Sequence, residues 1–212
     1  DTASAVAAVP FTGGSAAYIS SGTWSLMGVV LPAPVLTDEV RAAGFANEGG
    51  VGGTTRLLKN ITGLWLVQEC RRAWARAGSG LDYAALEALM ERTGPFFSVI
   101  DPDHESLVSP PDMPRAVYEL CVHAGEKPPT TPGEILRVAI ESLACKYRHT
   151  LDLLERIGGR RIEVLHVVGG GSRNRTLCQL TADLCDRPVL AGPVETTSLG
   201  NLMAQAQAAG LA

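Results

Sequence analysis

Two glycine-bearing turns hold the residues whose types and spacing suit chemistry. Gly169-Gly170-Gly171-Ser172-Arg173-Asn174 follows a β-rich run and precedes a helical one. Backbone N–H groups in such a turn can point at an anion, the dipole of the following helix assists, and glycine lets a ligand approach the main chain. The run is not a Walker-type phosphate loop, because no Gly-Lys-Ser/Thr follows. Asn174 also stands where a dinucleotide fingerprint needs its third glycine. A tight strand-to-helix turn explains the run equally well. Ser20-Ser21-Gly22-Thr23-Trp24-Ser25 is a second polar turn, set between apolar stretches. Its hydroxyls and N–H groups can grip a phosphate, and they also make an ordinary hairpin turn.

Other chemistry-bearing residues lack the spacing. Asp101-Pro102-Asp103-His104-Glu105 has the look of a metal cluster, but an EF-hand loop needs Gly at its sixth position and Glu at its twelfth, where Ser106 and Asp112 stand. A solvated acidic loop is the expectation. The four histidines (His104, His123, His149, His166) show no HExxH or other ligand spacing, and His166 is expected to face the core. No metal ligand is assigned. No Gly-x-Ser-x-Gly elbow is present. The five cysteines (Cys70, Cys121, Cys145, Cys178, Cys185) are scattered through helical stretches without a CxxC pair. They suggest neither a zinc knuckle nor a disulfide framework, so a reducing cytoplasm is the expected setting.

Composition bounds the rest. With 212 residues, 46% hydrophobic and 19% charged, the chain can bury a real core as one domain or two small ones. Lys+Arg 18 against Asp+Glu 22 gives a formal net charge of -4 without basic runs, which argues against nucleic-acid and membrane-surface partners. No apolar run approaches the roughly 20 residues of a membrane span. The opening Asp1-Thr2-Ala3 carries neither an initiator Met nor the basic and apolar regions of a signal peptide, and it reads as cut from a longer chain.

The elements that would position the two turns follow from pattern. Residues 17–21 and 24–30 read as strands around Gly22-Thr23, with Pro32 and Pro34 ending the second. Residues 45–48 and 54–58 read as a hairpin, whose glycine-rich connection either supplies the positive φ angles of a reversing chain or makes a mobile loop. Asn60 is expected to cap a helix through Arg76, and Asp82 one over Tyr83–Glu91. A helix over Arg115–Ala124 follows, then a long one to about Ile157 that opens on the capping box Thr131-Pro132-Gly133-Glu134 and stops at Gly158-Gly159. Residues 161–168 form a strand, Ser172 to Cys185 a helix, 189–191 a short strand, and Thr196 or Thr197 caps a last helix through Ala209. Strand–helix–strand–helix implies parallel strands, so the whole is an α/β layout with a mixed sheet.

Taken together, the turns carry a resemblance. Residues 18–28 (YISSGTWSLMG), Asn47-Glu48-Gly49-Gly50, residues 58–65 (LKNITGLW), residues 167–174 (VVGGGSRN) and residues 191–201 (AGPVETTSLGN) are similar, in this order, to segments of the FGGY carbohydrate kinases. The match covers only the family's C-terminal half and is weakest from about Gly78 to Thr130. The resemblance implies a ribonuclease-H-like, actin/Hsp70-type ATPase domain, a mixed sheet flanked by helices. It implies ATP with Mg2+, and transfer of the γ-phosphoryl to a ketose hydroxyl, L-rhamnulose first among the sugars, fuculose or xylulose otherwise. The chain would be the nucleotide-binding lobe over residues 1–212, with the N-terminal sugar-binding lobe absent and this piece alone inactive. Asp1 matches the catalytic base of the family's Gly-His-Asp-Thr-Ala-Ser motif and touches the sugar. Thr23, beside Gly22, matches the threonine that contacts the terminal phosphate. Asn60 matches a residue near the sugar and Gln68 one near the nucleotide, against plain readings as a helix cap and a polar helix face. Gly169, Gly170, Gly171 and Asn174 match the adenosine-binding turn. The alternatives from other classes are an actin-like nucleotide switch and a Rossmann-type binding module.

Overall fold

A strand whose successive side chains are all shielded must lie inside a sheet, and Ala17, Tyr18 and Ile19 are each 0% exposed. The computed structural model describes residues 2–11, 15–95 and 98–211. In chain order the elements begin α1 (Thr2–Ala7), β1 (Ala16–Ser21), β2 (Trp24–Leu31), α2 (Asp38–Ala42), β3 (Ala46–Gly49), β4 (Thr55–Thr62), α3 (Trp65–Arg76) and α4 (Tyr83–Glu91). They continue with α5 (Met113–His123), α6 (Pro132–Gly158), β5 (Val164–Val168), α7 (Arg175–Cys185), β6 (Val189–Ala191) and α8 (Thr196–Ala208). Two units result: residues 1–61 with 147–212, and residues 62–146.

The first unit carries a six-stranded sheet in the order β3-β4-β2-β1-β5-β6. β1 runs antiparallel to β2 and parallel to β5, and β5 parallel to β6, giving the expected mixed sheet. The hairpin reading holds: β3 and β4 pair antiparallel from Ala46↔Leu58 to Gly49↔Thr55. Strand alternation sends Tyr18 to one face, where it packs with Val6, Val9, Leu58 and Val168, and Ser21 to the other, toward Tyr147 of α6. His166 is buried at 2% exposure, as expected, with Phe11 edge-on at 5.5 Å. Near the far end of β5, Arg187 fastens three elements. Its guanidinium bonds Glu155 at 2.8 Å, the Asp186 carbonyl at 2.7 Å and the Ile162 carbonyl, while Glu155 also accepts from Ile162 N at 2.8 Å. Burial opposes ionisation of Glu155, yet the Ile162 N–H and the Arg187 charge outweigh it and hold the carboxyl below the usual carboxylate range.

The second unit is helical, and its ends follow local rules. Asp82 accepts from Ala85 N at 2.8 Å, starting α4 as expected. The capping box of α6 closes, with Thr131 N donating to Glu134 at 3.0 Å and Glu134 N to Thr131 Oγ1 at 3.3 Å. α5 starts earlier than its proline pattern suggests, because Asp112 caps it through Arg115 N at 3.1 Å and Pro114 tolerates the first turn. The 101–105 segment is more than a solvated acidic loop. Asp101 and Asp103 both pair with Lys146, at 2.8 and 2.9 Å, and Asp103 accepts from Thr62 N at 2.7 Å.

Three other expectations give way. Asn60 does not cap a helix: it lies exposed within β4, and the helix starts at Trp65 behind Leu64. Ile61 and Thr62 are β-branched and buried, and sheet pairing overrides the capping preference of a single Asn. Glu195, not Thr196 or Thr197, takes the N-cap position of α8, with no side-chain bond. Residues 170–173 form a 3-10 turn, so α7 opens at Arg175 rather than Ser172.

α8 lies on α1 through Gly200, where a Cβ would fall 1.8 Å from the Ser4 carbonyl oxygen. Helix propensity alone would favour Gly200→Ala by about 1 kcal/mol. The backbone contact opposes it with an overpacking cost of about 1–3 kcal/mol. A net fall in thermal unfolding temperature is therefore expected for Gly200→Ala, and a rise would show that the two helices can separate freely.

Candidate functional site

β1 and β5 are parallel, with Ser20 opposite Val168, so both strands end on the same edge of the sheet. The Gly22-Thr23 turn leaves β1 there and the Gly169 turn leaves β5. The two sequence-selected turns thus become neighbours across residues about 150 positions apart in the chain. Their closeness is steric as well as topological. A Cβ on Gly169, whose φ is +82°, would lie 2.8 Å from the Ser21 carbonyl oxygen, and one on Gly171 would lie 2.0 Å from Ser21 Oγ. Gly170 differs: nothing stands within 4 Å of its Cβ position. Two of the three glycines are thus demanded by the protein itself, and the middle one alone leaves open room.

The turn's hydrogen bonds point mostly inward. Ser172 N donates to Gly169 O at 3.1 Å, Asn174 N to Gly171 O at 3.0 Å, and Ser172 Oγ to Gly169 O at 2.7 Å. Gly169 N donates to Pro193 O at 3.2 Å and Thr196 Oγ1 at 3.3 Å, while Thr196 Oγ1 donates to Pro193 O at 2.5 Å. The 192–196 segment is thereby strapped over the turn. Three N–H groups of the run are consumed internally, so it presents a shaped surface more than an anion cradle. Asn174 Oδ1 accepts from Leu177 N at 2.9 Å and caps α7.

The first turn is braced from below. Ser21 and Ser25, opposite each other in the β1–β2 register, are 1% and 0% exposed. Tyr147, fully buried on α6, has its hydroxyl 2.6 Å from Ser25 Oγ and 3.5 Å from Ser21 Oγ. Burial pushes the Tyr147 phenol up to about 12, against the opposing hydrogen bonds of the two serines. Thr23 and Trp24 at the tip are exposed.

The structure brings together Gly22, Thr23, Gly169, Gly170, Gly171 and Asn174. Asn60 lies on β4, separated from β1 by β2. Gln68 lies on α3, in the second unit. Asp1 lies outside the described residues. Asn47 and Glu48 have structural work: Asn47 exchanges bonds with Val35 N and O at 3.0 and 2.9 Å, and Glu48 pairs with Arg56 at 2.9 Å. Sequence reasoning does not reach Thr196 or Tyr147 as supports of the two turns. The first mimics a cap, and the second matches the apolar period of a long helix. Among the described residues no group of three or more His, Cys, Asp or Glu side chains converges on a metal position.

The chain belongs to the FGGY family of carbohydrate kinases, whose C-terminal domain matches residues 17–209. It is 49% identical over 210 residues to the rhamnulokinase of Bacteroides thetaiotaomicron, and 40% identical over 209 residues to that of Bacillus subtilis. Each match takes in 99% of this chain and 42% of the relative, so the chain spans less than half the length of these proteins. Its fold is that of the sugar kinases. The xylulose kinase from Rhodospirillum rubrum superposes with a TM-score of 0.68 at 19% identity, covering 98% of this chain and 41% of that one. The glycerol kinase of Plasmodium falciparum, solved with ADP, superposes with a TM-score of 0.65 at 16% identity, covering 94% and 40%. The actin/Hsp70-like α/β fold expected from the resemblance is thus the one observed.

Cβ clearances yield a direct test. Gly171→Ala must displace Ser21 and is expected to destabilise the protein by about 1–3 kcal/mol. Gly170→Ala, with open space around it, should stay within about 0.5 kcal/mol of the parent. Urea unfolding of the two variants side by side reads the difference, and equal midpoints would contradict the packing.

Proposed function

We propose that this chain is the nucleotide-binding C-terminal lobe of an ATP-dependent kinase that phosphorylates L-rhamnulose at its 1-hydroxyl. The observation carrying the proposal is the junction of the two turns where β1 and β5 end, with Gly170 alone of the three turn glycines having open space at its Cβ position. Identities of 40–49% to rhamnulokinases favour L-rhamnulose over fuculose or xylulose. Residues 1–212 would form one lobe, and the sugar-binding lobe would lie in the part of the relatives that this chain does not span.

In this reading the Gly169–Gly171 surface and Asn174 receive the adenosine. The hydroxyl of Thr23, at the tip of a braced turn, donates to the terminal phosphate as negative charge develops there. Asp1 takes the proton of the sugar hydroxyl, and Asn60 helps to orient the sugar. Mg2+ would neutralise the phosphates, held by phosphate oxygens, water and the other lobe. No helix among the described residues is long and apolar enough to cross a membrane, and the scattered free cysteines fit a cytoplasmic enzyme.

The deciding experiment incubates the full-length protein with ATP and L-rhamnulose and follows sugar phosphate by phosphorus NMR. Rhamnulose 1-phosphate is expected; ATP hydrolysis without sugar phosphate would leave a nucleotide switch instead. Within that protein, Asp1→Asn should lower kcat by roughly 10²–10⁴-fold while stability holds, because Asn caps a helix as Asp does but accepts no proton. Thr23→Ala should lower kcat more than it raises the sugar KM, since its contact strengthens in the transition state. Gly170→Val should weaken ATP binding while the fold survives, and an unchanged ATP affinity would remove Gly170 from the site.

A further inference from the structure

We propose that Tyr147 is a positioning residue for phosphoryl transfer: its hydroxyl holds the two ends of the Gly22-Thr23 turn in the shape that meets the ATP phosphates. The role rests on the kinase reading above. It begins with an oddity of the core. A phenylalanine would fill the space of the Tyr147 ring, and alanine would fill that of Ser21 and Ser25, yet three hydroxyls occupy a region 0–1% exposed. Buried hydroxyls are costly unless they bond one another, so packing alone does not account for the group. Its geometry does. Ser21 closes β1, Ser25 follows the first residue of β2, and the two are direct partners in the sheet register. Between them lie only Gly22, Thr23 and Trp24.

A single phenol at 2.6 Å from Ser25 Oγ, with a longer 3.5 Å contact to Ser21 Oγ, therefore sets the base on which the Thr23 tip stands. The same Ser21 Oγ is the surface against which Gly171 packs, so one group fixes both the tip and its spacing from the second turn. With its phenol held up near about 12 by burial, Tyr147 stays protonated at neutral pH and moves no proton itself. It touches neither sugar nor nucleotide in this arrangement and acts through the serines.

The test is Tyr147→Phe, with Ser25→Ala as an independent variant and the double variant to complete the cycle, all in the full-length protein. Three readouts are taken: kcat and KM for ATP and sugar, ATP affinity, and backbone hydrogen exchange of residues 20–26. Positioning predicts a fall in kcat of roughly tenfold or more with the sugar KM unchanged, as displaced reacting groups cost rate before binding. It also predicts faster exchange confined to residues 20–26. The double variant should lose little more than either single one, because both remove the same bond. A lowered unfolding temperature with kcat and ATP KM within about twofold of the parent would reduce Tyr147 to a core residue. Multiplying losses in the double variant would also overturn the role. A parent protein that neither binds ATP nor phosphorylates sugar would remove the kinase reading and this role together. A normally active parent that is indifferent to Tyr147→Phe would remove the role alone.

Discussion

Ser21 occupies the point where two reversing segments of chain meet, and the room available beside it governs what surrounds it. Because β1 and β5 are parallel, both must turn away at the same edge, and their first residues beyond the sheet compete for one volume. The competition is resolved by removing side chains at Gly169 and Gly171 and by burying the Ser21 hydroxyl beneath them. Everything nearby follows from that close approach. The 192–196 strap can reach Gly169 N because β6 runs parallel to β5 and delivers the chain to the same edge. Asn174 can cap α7 because it stands one residue beyond the 3-10 turn.

The surrounding unit keeps that edge in register. Arg187 ties the end of α6, the approach to β5 and the approach to β6, with its charge matched by Glu155 and its remaining donors spent on carbonyls. A partly buried ion pair of this kind adds less net stability than its contacts suggest, but it is unfavourable to break, so it acts as a fixed joint. At the opposite face Gly200 lets α8 sit directly on the α1 backbone. Both devices trade side-chain volume or charge for fixed spacing.

Under the proposed kinase reading, this arrangement suits the chemistry required of the two turns. The Thr23 tip is exposed, yet its base is buried and hydrogen-bonded. A donor aimed at developing charge stabilises it more when little reorganisation is needed at the moment of reaction. The rigid base and open tip divide those two demands between neighbouring residues.

Local features were legible in the sequence wherever neighbours in the chain decide the outcome. The Thr131–Glu134 capping box, the Asp82 cap, the strand at residues 189–191 and the turn at Gly22-Thr23 depend on a few adjacent residues, and each stands where its pattern places it. Segment order likewise carried the family, because five short motifs in sequence constrain one another. What the tertiary structure decided concerns residues with two comparable local options. Asn60 suits a helix cap and a strand, and the burial of Ile61 and Thr62 in the sheet selected the strand. Asp101 and Asp103 suit a solvated loop until Lys146 is brought to them. Tyr147 suits any amphipathic helix, and its partners stand 122 and 126 positions away. Local preferences differ by about 1 kcal/mol or less for such residues, whereas burial and long-range bonding are worth more, so the choice belonged to the fold.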